Sequence, residues 1–334
     1  MTLRPLPTSA VARFRTDVDR LLARALGEGE LTQDVRLALA VSGGADSMAM
    51  LRLAAAAFPG GVIAATVDHQ LRAAAAAEAA SVARTCAELG IAHQTLRPLA
   101  PITGNSVQRR AREARYAALA EWARREGVAI LLTAHHADDQ AETLLMRLQR
   151  ASGLAGLSAI RAIRFDACGA VIRPLLGWQR SELRTLVKDS ETPFVDDPSN
   201  ADPRHDRTKV RALLADTPAL KPAALAASAA FLAEAEEVVA QAADTLWSHC
   251  WHGHDRPFAV ATAPRELRRR LLRRALTESR AQLGVASPLF DDSTNVEALL
   301  DALAAGRGAT QAGILVRPTR TGWLFLAAPP RRSL

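Results

Sequence analysis

Apolar residues recur every three to four positions over 9–26 (Val11, Phe14, Val18, Leu21, Leu22), with Arg and Asp between them. This spacing predicts an amphipathic helix. The period then changes. Residues 35–41 form a short run, apolar apart from Arg36, that leads into Ser-Gly-Gly, the pattern of a buried strand entering a tight loop. Helices are predicted over 45–57, 75–90, 106–127 and 138–150, and strands over 62–67, 91–96 and 128–133. Alternation at this spacing builds βαβ units and a parallel sheet covered on both faces. Ligands of such sheets sit at the carboxyl ends of the strands. The loops after Val41, Val67 and Thr133 carry the polar clusters of the region, at 42–47, 68–70 and 135–142.

Beyond 150 the pattern loosens. A hairpin is predicted from 160–165 and 170–173 around Ala167-Cys168-Gly169, then a helix over 179–190 with Ser181 as its cap. The stretch 193–207, rich in Pro, Asp and Asn, is predicted to be a loop. Apolar positions from 219 to 246 predict one long helix, taken as a connector. The remainder predicts an Arg-loaded helix at 264–280, a helix at 293–305, and a terminal hairpin of 309–317 and 322–327. The expected organisation is an α/β parallel-sheet domain over 1–216, a linker helix over 217–246 and a small α+β domain over 247–334.

Composition narrows the function classes. The 334 residues are 49% hydrophobic and 23% charged, which is ordinary for a folded chain. The formal net charge is +7, and of the 42 cationic residues only Lys188, Lys209 and Lys221 are lysine. Excess arginine reflects either a GC-rich genome or a polyanionic partner. No apolar run reaches the roughly 18 residues of a membrane span, and the N-terminus lacks the apolar core of a secretory signal, so no membrane role is expected. Cys86, Cys168 and Cys250 are scattered and form no CxxC, which points to a cytoplasmic protein without a disulfide framework.

The strongest chemical signal is Ser42-Gly43-Gly44-Ala45-Asp46-Ser47 between a strand and a helix. Two glycines permit a tight turn and close approach to an anion, and the helix start aims free N–H groups at it. Ser42 and Ser47 add hydroxyl donors. A Walker loop is excluded, since it requires a lysine. Asp46 suits a phosphate loop if it holds a Mg²⁺ that bridges to the phosphates. The bland alternative is a helix N-cap with two turn glycines.

A second cluster, Thr133-Ala134-His135-His136-Ala137-Asp138-Asp139-Gln140-Ala141-Glu142-Thr143, follows the fourth strand. Such a row is poor core material, because buried charges need partners. Its carboxylates serve either as dipole-favoured caps, or as ligands for Mg²⁺ or for the ammonium of an amine. His135, Asp139 and Glu142 also have zinc-like spacing, as do His249, His252 and His254 near Cys250.

The Ser42–Ser47 run resembles the pyrophosphate loop of the N-type ATP pyrophosphatases. The His135–Thr143 cluster, Arg150-Ala151-Ser152-Gly153-Leu154-Ala155-Gly156-Leu157, Arg173-Pro174-Leu175-Leu176, Asp197-Pro198-Ser199-Asn200 and Arg207-Thr208-Lys209-Val210-Arg211 follow it. Together with Asp68-His69-Gln70-Leu71-Arg72 and Ala111-Arg112-Glu113-Ala114-Arg115-Tyr116, and in this order, they are similar to the tRNA(Ile)-lysidine synthetases. The resemblance spans about 36 to 216. Departures are Gln108 for a usual Glu, Thr208 for Asn, and Ala151 and Gln70 for Gly. The C-terminal part resembles the family only loosely, at 264–280 and 308–313.

The resemblance implies a PP-loop (adenine nucleotide alpha hydrolase-like) fold with adenine near Leu39–Val41. It implies ATP and Mg²⁺ as cofactors, and L-lysine and the isoleucine tRNA with a CAU anticodon as partners. The wobble cytidine would be adenylated and then attacked by lysine. By that resemblance Ser42, Gly43, Gly44, Ala45, Asp46 and Ser47 bind the phosphates, and Asp46 holds the metal. Asp46, Asp138, Arg115 and Arg207 serve catalysis, while His135, Asp138, Asp139, Glu142 and Arg112 surround the lysine or substrate. Arg211, Arg269 and Arg273 would touch the tRNA. Trp247 and Trp251, spaced i and i+4, are expected in a core. The rivals are a tRNA thiolase, disfavoured by the scattered cysteines, and a non-enzymatic nucleotide- or RNA-binding module, which would need neither Asp46 nor the His135–Glu142 cluster.

Overall fold

Leu37, Leu39 and Val41 point to one apolar cluster, while Ala38 points to another. This period of two is what a strand buried on both faces requires. The computed structural model describes residues 3–27, 35–68, 75–98, 107–166, 169–196, 206–291 and 294–329. The first elements are α1 (Thr8–Leu26), β1 (Leu37–Ala40), α2 (Ala45–Ala57), β2 (Val62–Val67), α3 (Ala75–Glu88), β3 (Ala92–Leu96), α4 (Val107–Arg125), β4 (Ile130–Leu132) and α5 (Ala137–Gln149). Each matches its predicted element, with ends trimmed by a few residues.

They are followed by α6 (Leu154–Leu157), β5 (Ile163–Asp166), β6 (Gly169–Ile172), α7 (Arg180–Asp189), α8 (Asp206–Asp216), α9 (Pro222–Cys250), α10 (Arg265–Gln282), α11 (Glu297–Ala304), β7 (Ala309–Gln311), β8 (Ile314–Pro318) and β9 (Trp323–Ala327). Three local expectations need correction. Ser181 does not cap α7; Gln179 does, in a reciprocal capping box with Glu182. The predicted strand 309–317 is broken into β7 and β8, because Ala312 and Gly313 both take positive φ (52° and 77°) and turn the chain back. Helix α8 begins at the end of the expected 193–207 loop.

Six strands form one sheet in the order β3-β2-β1-β4-β6-β5, parallel except for the antiparallel β5–β6 hairpin. Strand order reverses at β1, whose neighbours are β2 and β4. A crevice opens at the carboxyl ends of strands at such a switch point. One face of the sheet is covered by α1 (Phe14, Val18, Leu21), α2 (Met48, Leu51) and α7 (Leu183, Leu186, Val187). The other is covered by α4 through Leu119, Trp122 and Ala123.

The chain divides into two compact units, Met1–Ala233 and Glu234–Leu334, the division falling within α9. In the second unit, the sheet β7-β8-β9 packs with α10 and α11 around Leu272, Leu276, Leu300, Val316 and Phe325. Trp247 and Trp251 stack at 4.7 Å and meet Phe258 edge-on, as core residues do.

Candidate active site

The loop after β1 turns at Gly43, whose φ of +87° favours glycine. Ser47 Oγ accepts from Ser42 N–H (3.1 Å), lies 3.0 Å from Ser42 Oγ and donates to Gly44 C=O (2.9 Å). Helix α2 starts after Gly44 with no side-chain cap. A side-chain cap is therefore absent: both serines bond at Gly44, neither accepts from the first N–H groups of α2, and those keep their capacity for an anion.

Asp46 stands in the first turn of α2. Its Oδ1 is buried and has no hydrogen-bond partner, while Oδ2 lies 3.4 Å from His136 Nε2. An unsatisfied carboxylate oxygen beside a phosphate cradle fits a hard cation, and Mg²⁺ commonly takes one or two protein carboxylates plus substrate phosphates. Asp46 is a residue that could hold such an ion.

At the end of β4 two adjacent histidines enter opposite environments. His135 Nδ1 lies 3.0 Å from Thr133 Oγ1. Burial, and then the charges of Arg173, Arg112, Arg207 and Arg115, push its pKa down to about 2. It is neutral throughout the physiological range. His136 is buried too, which disfavours its charge, but the Asp46 hydrogen bond and the Asp139, Asp46 and Asp138 carboxylates outweigh burial and raise its pKa. Strand-like alternation sends one ring to a cationic wall and the next to an acidic one.

The carboxylates expected around an amine are partly committed. Glu142 is 2% exposed and is held by Arg207 Nε at 2.6 Å and Arg211 Nε at 2.8 Å. Asp139 accepts from Arg207 (3.0 Å) and from the His136 backbone N–H (3.1 Å), and so completes the capping box in which His136 caps α5. Asp138 Oδ2 accepts from Arg180 N–H at 2.8 Å. These ion pairs dock α8 onto α5, and Arg211 sits on Glu142. A zinc site at His135, Asp139 and Glu142 does not fit, since both Glu142 oxygens are sealed by guanidinium groups.

One cavity of about 640 Å³ gathers Ser42, Gly44, Asp46, Ser47, Arg112, Arg115, His135, Asp139 and Arg207. Gly43, Ala45, Asp138, Glu142 and Arg211 are near it in the chain or in contact with its residues but do not line it. Ala40, Val41, Thr66 and Val67 line it from β1 and β2. Arg112 and Arg115 approach the Tyr116 ring at 5.2 and 5.9 Å, and burial lowers the Arg115 pKa. Val195 also lines the cavity, and its backbone N–H bonds Gly43 C=O, a contact that no residue pattern announces. The motif residues 69–72 and 197–200, and the side chains of Gln108 and Arg109, lie outside the described residues.

Arg269 and Arg273, expected on RNA, are engaged inside the second unit. Arg269 pairs with Glu297 and Glu266, and Arg273 donates to the carbonyls of Thr294 and Asp291. Arg265, Arg270 and Arg274 also have acidic partners. Hydrogen bonds from Arg269 and Arg265 hold Glu297 at about 2, below its ordinary 4.5. The unfolded chain takes up that proton more readily, so this contribution to stability is complete above pH 4.5 and is lost as pH falls towards 2. Glu297→Gln should flatten the acid limb of unfolding of this unit; an unchanged limb would contradict the pairing.

A family model described as a PP-loop domain matches residues 13–217. The tRNA(Ile)-lysidine synthase of Novosphingobium aromaticivorans is 44% identical, covering 98% of this chain and 96% of its own length. That of Zymomonas mobilis is 39% identical, covering 89% of this chain and 90% of its own length. The solved U34-tRNA thiolase of Methanococcus maripaludis shares the fold, with a TM-score of 0.52 and 20% identity over 66% of this chain and 79% of that one. The chain belongs to the PP-loop family and, within it, to the tRNA(Ile)-lysidine synthases.

Proposed function

We propose that the protein joins free L-lysine to C2 of the wobble cytidine of tRNA(Ile) with a CAU anticodon, giving lysidine, AMP and pyrophosphate. The observation that carries this reading is the single cavity in which the uncapped phosphate loop faces the His135–Asp139 cluster. The adenine lies towards Ala40–Val41, and the β- and γ-phosphates lie on Gly44, Ser42, Ser47 and the start of α2. The cytosine O2 attacks the α-phosphorus, and the bond to pyrophosphate breaks. The lysine amine then attacks C2, and the bond from C2 to the AMP oxygen breaks.

Arg112 and Arg115, which form no ion pair among the described residues, take up charge at the α-phosphate. Mg²⁺ held by Asp46 would neutralise charge on the departing pyrophosphate. Asp139, the carboxylate of the Asp138–Asp139 pair that lines the cavity, receives the ammonium and the proton that the amine must lose. His135, neutral and held by Thr133, offers a ring nitrogen without adding charge. The target base leaves the anticodon stack, which a single-stranded loop allows at low cost. Work on tRNA suits a cytoplasmic enzyme, and no helix among the described residues is long and apolar enough to cross a membrane.

A sulfur-relay reading gains no support from Cys86, which is fully buried and whose pKa burial pushes up to about 12. The test is labelled lysine transfer with ATP and Mg²⁺, on the CAU transcript and on one with uridine at the wobble position. Lysine-dependent AMP and pyrophosphate release on the first alone is expected. Equal transfer to both, or release of ADP, would overturn the reading.

With Arg265, Arg269, Arg270, Arg273 and Arg274 occupied, the basic groups left for RNA phosphates in the second unit include Arg307, Arg317 and Arg320. They are exposed, without ion pairs among the described residues, and gathered at one end of the β7-β8-β9 sheet by its register. Reversing Arg307 and Arg317 to Glu should weaken tRNA binding and reduce its salt slope by about one for each phosphate that is no longer neutralised. Arg269→Glu should instead lower the thermal midpoint.

A further inference from the structure

We propose that the backbone N–H of Val195 fixes the Gly43–Gly44 peptide so that its N–H, and not its C=O, faces the phosphates. This rests on the reading of the loop as the cradle for ATP. Val195 N–H donates to Gly43 C=O at 2.9 Å. In a planar trans peptide the C=O and the following N–H point in opposite directions. A carbonyl held by Val195 therefore turns Gly44 N–H the other way, where it donates at 3.5 Å to Oγ of Ser42, a residue that lines the cavity as Gly44 does. Glycine on both sides of this peptide makes the flipped orientation easily accessible. Flipped, the loop would present an oxygen to a polyphosphate and repel it.

The segment 192–196 that carries Val195 is tied at one end to α2 and at the other to α7. Thr192, 4% exposed, accepts from Arg52 of α2 at 2.7 Å. Asp196 receives both terminal nitrogens of Arg184 at 2.8 Å, and Arg184 also lies over the Phe194 ring at 5.4 Å. Phe194 packs against the first core cluster. The Val195 N–H is thus held in place before any nucleotide arrives, which lowers the ordering cost of binding. Val195 is a positioning residue that acts through Gly43, and its side chain is incidental to the role.

Val195→Pro removes the N–H, whereas Val195→Ala keeps it. With the full chain, and with Mg²⁺-ATP or inorganic pyrophosphate as the probe, calorimetry should show Val195→Pro binding about tenfold or more weaker for both. Val195→Ala should remain near wild type, and the KM for lysine should not move in either variant. A general loss of structure would raise all three constants and lower the unfolding midpoint. Val195→Pro binding as tightly as Val195→Ala would overturn the proposal and leave the ATP reading intact. Wild type binding neither probe would overturn the ATP reading and the proposal with it. Should Val195→Pro not fold, hydrogen exchange at the Val195 amide of wild type decides: slow exchange is expected, and exchange at the rate of an unprotected amide would refute the bond.

Discussion

Asp46→Ala should cut AMP and pyrophosphate release by roughly a thousandfold, the scale of removing one preorganised group that stabilises transition-state charge. The same change should leave the thermal midpoint unchanged or slightly raised. Asp46 Oδ1 is buried without a partner, so the folded state now bears the cost of that oxygen. A residue kept for structure would behave in the opposite way, with turnover retained and stability lost. The neighbouring His136 loses one of its three carboxylates and retains Asp138 and Asp139. Turnover within a few fold of wild type would remove Asp46 from the reaction.

Glu142→Ala should be the most damaging change outside the phosphate loop. It strips both Arg207 and Arg211 of a carboxylate that is itself almost wholly buried. Breaking a fully buried pair from one side costs about 3–5 kcal/mol. The two arginine side chains are 40% and 31% exposed, so solvent recovers part of that, and a loss of about 1–3 kcal/mol is expected. Turnover should fall with it, because Arg207 lines the cavity and is oriented by this contact. Arg211→Ala separates the two effects. Arg211 does not line the cavity, so its loss should lower the urea midpoint while leaving nucleotide binding close to wild type. If Glu142→Ala unfolds at the wild-type midpoint, the docking of α8 through Glu142 is wrong.

How far the sequence foretold this arrangement depended on range. Elements rich in apolar residues of their own, such as α1, α2 and β2, were legible because burial of those residues decides their form. Helix α8 was not: Val210 is its one buried residue, and ion pairs to Glu142 and Asp139 hold it rather than an apolar stripe. The β7–β8 turn was hidden because alanine is an unusual occupant of a left-handed position. The phosphate loop could be read from its glycines and serines alone. The partners of Glu142, 65 and 69 residues away, could not. The arginines of α10 show the same limit, for a row of cations reads alike whether it faces RNA or, as here, Glu297, Glu266 and Glu236. The contact of Val195 with Gly43 is invisible to side-chain patterns, since it is made by the backbone.

The excess of arginine is consequently divided. Part of it builds the molecule, in α10 and around Glu142. Part lines the cavity, at Arg112 and Arg115. Part is exposed on the second unit, where a polyanion could meet it.

The most direct measurement is the mass of the wobble nucleoside recovered from tRNA(Ile) with a CAU anticodon after incubation with the protein, ATP, Mg²⁺ and L-lysine. The expected product is cytidine plus lysine less one water, formed in step with one AMP and one pyrophosphate. Unmodified cytidine at that position, or a sulfur-bearing nucleoside when a sulfur donor is supplied, would contradict the assignment.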